Sequence, residues 1–412
     1  MMSLSQQERN LLRELGSRYM EAAVLPVQKE KINLWKALNR GEMQRPMVVI
    51  DQHPWNELNE GGVLTCQIAD PYWRGVEDQL RKKLYAWENF PVDMVLDPFI
   101  SIPSSIENSG YGISADATYL KQEEGGISAQ HFENVLQDWD DVEKIQNMKL
   151  TFDAEQTQQH LEEAQEIYRG IAPVRASGMQ FHLGVWDTIS MLMGVEAIYY
   201  ELLDRPEFMH AIMERFTSSV ISAVEQANEL GVHGDTLNTC HCSYIYTDEL
   251  LPDSGAGKGP YSQNCWAFGL AQLFSSVSPE MTEEFELPYI TRMAEYFGMI
   301  YYGCCDRLDD RLDIIKRIPH LKKVSCSPWS HVDAFAENIG PTLVMSNKPN
   351  PAFVATDVFD PDIVRRDLQK TYDAAKRSNV NLEFILKDIS TVRHQPDRLR
   401  QWAEIAMEVA CQ

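Results

Sequence analysis

The chain has 412 residues and a formal net charge of −24, from 37 basic against 61 acidic side chains. That field repels nucleic acid and anionic lipid surfaces, so neither is expected as a partner. That length suits one large domain or two small ones, and hydrophobic residues make up 44%, enough for a sizeable core and too many for global disorder.

No apolar run reaches the roughly 18 residues of a membrane span. Met1 to Leu15 lacks the basic, apolar and small-residue regions of a secretory signal, so a cytoplasmic location is expected. Eight cysteines, at 66, 240, 242, 265, 304, 305, 326 and 411, are sparse for a disulfide scaffold and read as free thiols. Cys66, Cys265 and Cys411 read as small buried apolar groups.

In chain order, 1–40 reads as an N-terminal helical extension and 41–412 as one domain. Apolar, β-prone runs follow at 47–51, 93–97, 179–183, 234–239, 299–304, 322–326, 342–346 and 382–387. Continuous runs of this kind suit strands buried on both faces, as in a parallel sheet. Helical patterns lie between them. The segments 206–230, 279–297, 361–378 and 396–410 each carry a proline in the opening turn. The segment 52–90 reads as further helix and 100–130 as an irregular lid or hairpin. Eight strands alternating with helices predict an α/β fold, a (β/α)8 barrel of the TIM type with extra N-terminal helices. No Gly-x-Gly-x-x-Gly follows the first strand, which argues against a dinucleotide fold.

In such a barrel the chemistry sits past the C-terminal ends of the strands. Asp51 and Asp97 end apolar strands, where a carboxylate needs a partner or a task, and His53 and His182 titrate near neutrality; these four are candidates for catalysis. Lys387 follows the last apolar run and is a fifth candidate, with Asp388 or Glu383 as its structural partner. Trp55, Trp186, Trp266 and Trp329 suit pocket walls for a flat ligand, Lys348 suits a substrate anion, and Asn238 lies at the same rim.

Cys240-His241-Cys242 and Cys304-Cys305 are the sharpest feature, because sulfur and imidazole are the donors zinc prefers. Neighbouring strand residues point to opposite faces, so Cys304 and Cys305 share one ion only where the strand has already turned. Gly255 to Pro260 lacks the Gly-Lys-Ser/Thr ending of a phosphate loop and reads as a loop over the site.

Val277-Ser278-Pro279-Glu280-Met281, Glu284-Phe285 and Leu287-Pro288-Tyr289 resemble a helix of the uroporphyrinogen decarboxylase superfamily. So do Leu192-Met193-Gly194 and Leu202-Leu203-Asp204-Arg205-Pro206-Glu207. The resemblance spans about 40–410 and implies a (β/α)8 barrel. The decarboxylases of that superfamily carry arginines after the first strand, where this chain reads Asp51-Gln52-His53-Pro54-Trp55. The resemblance therefore points to the other branch, methyltransferases working with a corrinoid (cobalamin) on a partner protein and a small-molecule methyl donor or acceptor.

Thiol-using members of that branch hold Zn2+ through His-x-Cys and a later Cys. Cys304 falls on the first Cys, Tyr302 replaces the His, and no Cys follows on the last two strands. A zinc set here would be Cys304 with Cys305, His241 and Glu383. Pterin-using members use no metal, and there Asp97, Asn238 and Asp235 would hold the ring. Homodimers are common among such barrels. Decarboxylation, or ligand binding by a barrel that has lost its catalytic set, are the alternatives.

Overall fold

The computed structural model describes residues 4–119, 130–234, 238–250 and 261–412. Its elements, in chain order, begin with α1 (Gln6–Ala23), α2 (Pro26–Asn39), β1 (Met47–Ile50), α3 (Pro71–Asn89) and α4 (Pro206–Leu230). They continue with β2 (Trp266–Gly269), α5 (Leu287–Ala294), β3 (Met299–Tyr302), β4 (Leu321–Cys326) and α6 (Val332–Ile339). The chain closes with β5 (Val344–Asn347), α7 (Pro361–Arg377), β6 (Asn381–Leu386) and α8 (Asp397–Ala410).

Local chemistry sets the helix ends. Asp70 caps α3, accepting from the backbone N–H groups of Tyr72 and Trp73 ahead of Pro71. Asp360 caps α7 in the same way, and Lys376 and Arg377 complement the dipole in its last turn. Gly231 ends α4 at φ 66°, a left-handed residue that closes the helix without a Cβ clash. The single helix expected over 279–297 is two, Pro279–Phe285 and α5, because Pro288 cannot donate into a continuous ladder.

The six strands form one parallel sheet in the order β1-β6-β5-β4-β3-β2. α5, α6 and α7 lie in the connections between its strands, and α8 returns to pack on β1. Side-chain alternation divides each strand between two apolar clusters. Val48, Ile300 and Phe384 face the large cluster under the helices. Met47, Val49, Phe268, Met299, Tyr301 and Ile385 face a smaller one with Trp35 and Leu38 of α2. A sheet covered on both faces has no solvated side, which is why its strands read as unbroken apolar runs.

Hydrogen bonds extend the sheet at both edges. Asp93 N donates to Val48 O at 2.8 Å, and Leu183 N donates to Phe268 O at 2.6 Å. Ile100–Pro103 pairs in parallel with Val174–Ser177. The expected strands at 93–97 and 179–183 are thus present as single bonds and isolated bridges, and the six-stranded ladder is not itself a closed ring. The α/β class is as expected.

The fourth expected strand differs. Residues 235–237 lie outside the described residues, and Thr239–Cys240 pairs antiparallel with Ser243–Tyr244 in a hairpin. The sheet position goes to β2. The hairpin enters the inner face, where Cys240, Cys242, Ile245 and Tyr246 join the smaller cluster. Asn39 of α2 holds it from below, donating to the carbonyls of Tyr244 (3.2 Å) and Tyr246 (2.8 Å).

In the stretch 100–130 the hairpin alternative is seen, with Asp116–Tyr119 pairing antiparallel with Gln130–Glu133 beside short strands at Ile100–Pro103 and Ile106–Asn108, and residues 120–129 lie outside the described ones. The loop 255–260 and Asp235 also lie outside them. Among the described residues no helix is long and apolar enough to cross a membrane. None of the eight cysteines is in a disulfide among the described residues; Cys265 is buried as expected, Cys66 is half-buried, and Cys411, just past α8, is exposed.

Candidate functional site: a thiolate cluster at the ends of β3 and β6

β3 ends at Tyr302, and Gly303 turns the chain at φ 90°. A Cβ at Gly303 would meet Leu308 at 2.6 Å and Ser325 at 3.2 Å, so both backbone and space require glycine. The turn removes the strand alternation that would part the next two side chains. Cys304 Sγ and Cys305 Sγ therefore lie 3.6 Å apart. Asp306, buried, fixes the turn by accepting from Cys304 N at 2.6 Å, and its other oxygen has no partner. β6 supplies the opposite wall. Lys387 Nζ donates to Cys304 Sγ at 2.7 Å, and Cys305 Sγ donates to Asp388 Oδ2 at 2.6 Å. The hairpin tip supplies His241, at φ 53° and stacked on Phe268 with centroids 3.9 Å apart. Its Nε2 lies 3.0 Å from Lys387 Nζ.

Residues just past three strands or turns, Gln52, His241 and Asp388, hold left-handed backbone, as Gly303 does. Such conformations are costly for residues with a Cβ and persist where surrounding structure enforces them.

Electrostatics follow from this packing. The bond from Cys305, with positive charge from His241 and Lys387, outweighs burial and holds the Cys304 thiol down to about 3. The Cys305 thiol is pushed up, first by the bond to the Cys304 thiolate and then by burial. Burial would lower His241, but its contacts with the Cys242 and Cys304 sulfurs win and raise it to about 9. Burial likewise opposes the charge on Lys387, and the same two sulfurs raise it. The result is the Cys304 sulfur, favoured in its ionised form, held beside an ammonium and an imidazole.

A cavity of about 210 Å3 adjoins this patch, walled by Asp51, Trp55, Phe90, His241 and Tyr244 among others. A larger hollow of about 520 Å3 lies at the opposite ends of the strands, beside Arg45 and Cys411, and has no comparable donor set.

Several expected site residues are brought together here: Cys304, Cys305, His241, Lys387 and Asp51, whose carboxyl is raised by burial against the charges of His241 and Lys387. Trp55 and His53 line the cavity, but His53 is stacked between Trp55 and Phe90 and burial lowers it to about 4, so it stays neutral. Burial also lowers His182 to about 4, and its Nδ1 accepts from Gly184 N at 3.2 Å. Asp97 is occupied by Asn238 Nδ2 and Tyr246 OH, each donating at 2.7 Å, so this pair anchors the hairpin.

Four expected residues sit elsewhere. Glu383 points to the inner face, paired with Lys323 at 2.7 Å, because it lies four positions before Lys387, too far back along the strand to reach the cysteines. Lys348 is buried and donates to Tyr301 OH and Ser346 Oγ, each at 2.6 Å, so its own ammonium is engaged inside the protein. Trp186 is fully buried against Phe274, and Trp329 is 69% exposed in a turn past β4.

Asp388, expected only as a structural partner of Lys387 and found 3.7 Å from it, and Asp306 were not among the residues expected to carry chemistry. Their signal in the sequence is position alone, each directly past a rim residue. Among the described residues, Cys304, Cys305 and Asp388 form a group whose donor atoms lie within 4.8 Å of one another.

No protein-family model matches the chain, and no curated protein matches it. Among solved structures, a methyltransferase from Methanosarcina mazei is similar at a TM-score of 0.49 and 11% identity, covering 90% of this chain and 97% of that one. A likeness of that size decides nothing about the site, whose reading rests on the geometry above.

Proposed function

We propose that the chain is a methyltransferase of the uroporphyrinogen decarboxylase superfamily, built as a closed (β/α)8 barrel. It would move a methyl group between a corrinoid on a partner protein and a small-molecule donor or acceptor, with Zn2+ at the thiol pair. The observation that carries this reading is the Cys304 sulfur, held 2.7 Å from Lys387 and 3.6 Å from Cys305 on one side of a turn. A zinc that assists methyl transfer to or from a thiol needs ionised sulfur ligands, and these contacts favour the ionised form of Cys304.

The residues fit zinc. Two sulfurs bound tetrahedrally at ~2.3 Å sit about 3.8 Å apart, close to the spacing of this pair. Cys304, Cys305 and Asp388 would hold the ion as a three-ligand set with one position open, the pattern of catalytic zinc. Zinc bound there supplies Lewis acidity and holds thiolates ionised. The chain's own groups do the rest. Lys387 neutralises Cys304, Asp388 accepts the hydrogen bond of Cys305, and Phe268 fixes the His241 ring where it holds a proton between Cys242 and Cys304.

A second reading, a barrel that binds a ligand without catalysis, draws on the hairpin filling the inner face, beside which the adjoining cavity is small. Porphyrinogen decarboxylation would need cations for the substrate's carboxylates, and Lys387 and Lys348 are both engaged inside the protein.

Elemental analysis should find about one zinc per chain, falling more than about tenfold in Cys304→Ser, since losing a ligand costs at least what losing its support does. The zinc-loaded protein should consume free methylcobalamin in the presence of 2-mercaptoethanol, and the variant should not. Zinc retained in full by Cys304→Ser removes the metal site. Ligand binding without methylcobalamin consumption favours the second reading.

A further inference from the structure

We propose that the cavity beside the thiol pair binds a small carboxylic acid with an apolar body about one ring in size, its carboxylate paired with the Lys83 ammonium. This deepens the reading above by naming a substrate class for the same site. It rests on that reading only for what happens to the ligand once bound.

Three features carry it. The first is size and lining. The cavity holds about 210 Å3, and Trp55, Phe90, Met94 and Tyr244 give it largely apolar and aromatic walls. An apolar cavity of about 150 Å3 takes one benzene ring, so this one has room for a ring and a carboxylate. Apolar walls with a few polar groups that fix orientation are the usual make-up of a small-molecule pocket. The second is an ammonium without a partner. Lys82 and Lys83, adjacent on α3, both line the cavity. Lys82 is already engaged, 2.7 Å from Asp78 and over the Trp55 ring at 5.7 Å. Lys83 has no hydrogen bond or ion pair among the described residues; its ammonium lies 5.9 Å from the centre of the Tyr19 ring. The side chain is half-buried, and burial opposes its charge, offset in part by Asp97. An anion brought to such an ammonium in a low-dielectric space is strongly attracted.

The third is the charge around it. Asp51 is the one acidic residue in the wall among the described residues, and it makes no ion pair with Lys83. Burial raises its carboxyl against the charges of His241 and Lys387, so its own charge is opposed at the thiol end. Lys82 is neutralised by Asp78, which leaves Lys83 as the cation to be matched. One carboxylate matches it, and the volume excludes a large polyanion. His241 lines the same cavity and lies 3.0 Å from Lys387, so a ligand held by Lys83 sits within the candidate site.

The test is isothermal titration calorimetry on the full chain, freed of metal with a chelator and without methylcobalamin. The probes are benzoate and its uncharged isostere benzamide. The wild type should bind benzoate at least about tenfold more tightly than benzamide, the effect of one charged hydrogen bond. Lys83→Met should lose at least about tenfold in benzoate affinity and leave benzamide unchanged. Lys82→Met should change benzoate affinity by less than about fivefold, since that ammonium is already paired at the surface. Lys83→Met should melt no lower than the wild type, because it removes a charge that burial opposes, so lost binding cannot be lost fold. Equal affinity for the two probes overturns the proposal. So does benzoate affinity unmoved in Lys83→Met, or no benzoate binding at about 10 mM, too weak for a nine-atom ligand in a fitted pocket. A melting temperature that falls in Lys83→Met also overturns it, since the ammonium would then serve the fold. With neither zinc nor methylcobalamin present, failed benzoate binding leaves the methyl-transfer reading standing, and a failed methyl-transfer assay leaves the binding result standing.

Discussion

Lys323→Met should destabilise the fold by about 3–5 kcal/mol, the cost of stranding one member of a buried ion pair. Lys323 and Glu383 are both fully buried on the inner face and meet at 2.7 Å. Ser243 of the hairpin donates to Glu383 at 2.8 Å and takes a bond from Lys323 at 2.6 Å, while Lys323 also lies over the Trp35 ring at 5.2 Å. Removing the ammonium leaves a carboxylate in a low-dielectric space with only a hydroxyl. Glu383→Gln should cost a comparable amount by stranding the ammonium. The double variant Lys323→Met/Glu383→Leu should lose less than the sum of its parts, since no charge is then left unpaired. Urea denaturation at neutral pH measures all three. A single-variant cost under about 1 kcal/mol would show the pair to be solvated. The consequence for the site is direct, because the hairpin seated by this pair carries His241 at its tip.

Gly303→Ala should cost roughly 1–3 kcal/mol, from a Cβ on left-handed backbone, and should separate the thiol pair. The glycine holds φ 90°, and its Cβ would press on Leu308 and Ser325. Leu308 can shift its side-chain tip, so the protein should still fold. The turn would relax toward extended backbone and return Cys304 and Cys305 to opposite faces. Phenylarsine oxide, which needs two neighbouring thiols, should bind the wild type and lose at least about tenfold in affinity for the variant, a loss of about 1.4 kcal/mol. Equal binding would show that the turn does not depend on glycine.

Much of the sheet was legible because strands buried on both faces cannot alternate polar with apolar residues. MVVI, MIYY and EFIL announce themselves for that reason. Trp266–Gly269 was missed; it is short, ends in glycine, and follows a stretch whose Asn-Thr-Cys-His-Cys looked like the end of a strand. That stretch is a hairpin, a distinction set by long-range contacts with Asn39, Asp97 and Glu383 that no local pattern encodes. The cysteines and Lys387 were legible as a cluster because strand ends converge. Glu383 was misplaced by four residues' worth of strand: Lys387 reaches the rim, and Glu383 lies four positions earlier, on the inner face. Asp388 could be assigned only once its left-handed backbone turned it toward Cys305.

The most direct measurement is the pH dependence of Cys304 alkylation by iodoacetamide in metal-free protein, followed by mass spectrometry of its peptide. The contacts with Cys305, His241 and Lys387 predict a thiolate already formed well below neutrality, with a rate that is flat from about pH 6 upward rather than rising through the free-thiol value of about 8.5. In Lys387→Met the midpoint should climb by about 1–3 units, the effect of losing one adjacent charge. A wild-type midpoint near 8.5, unmoved by that substitution, would contradict the account.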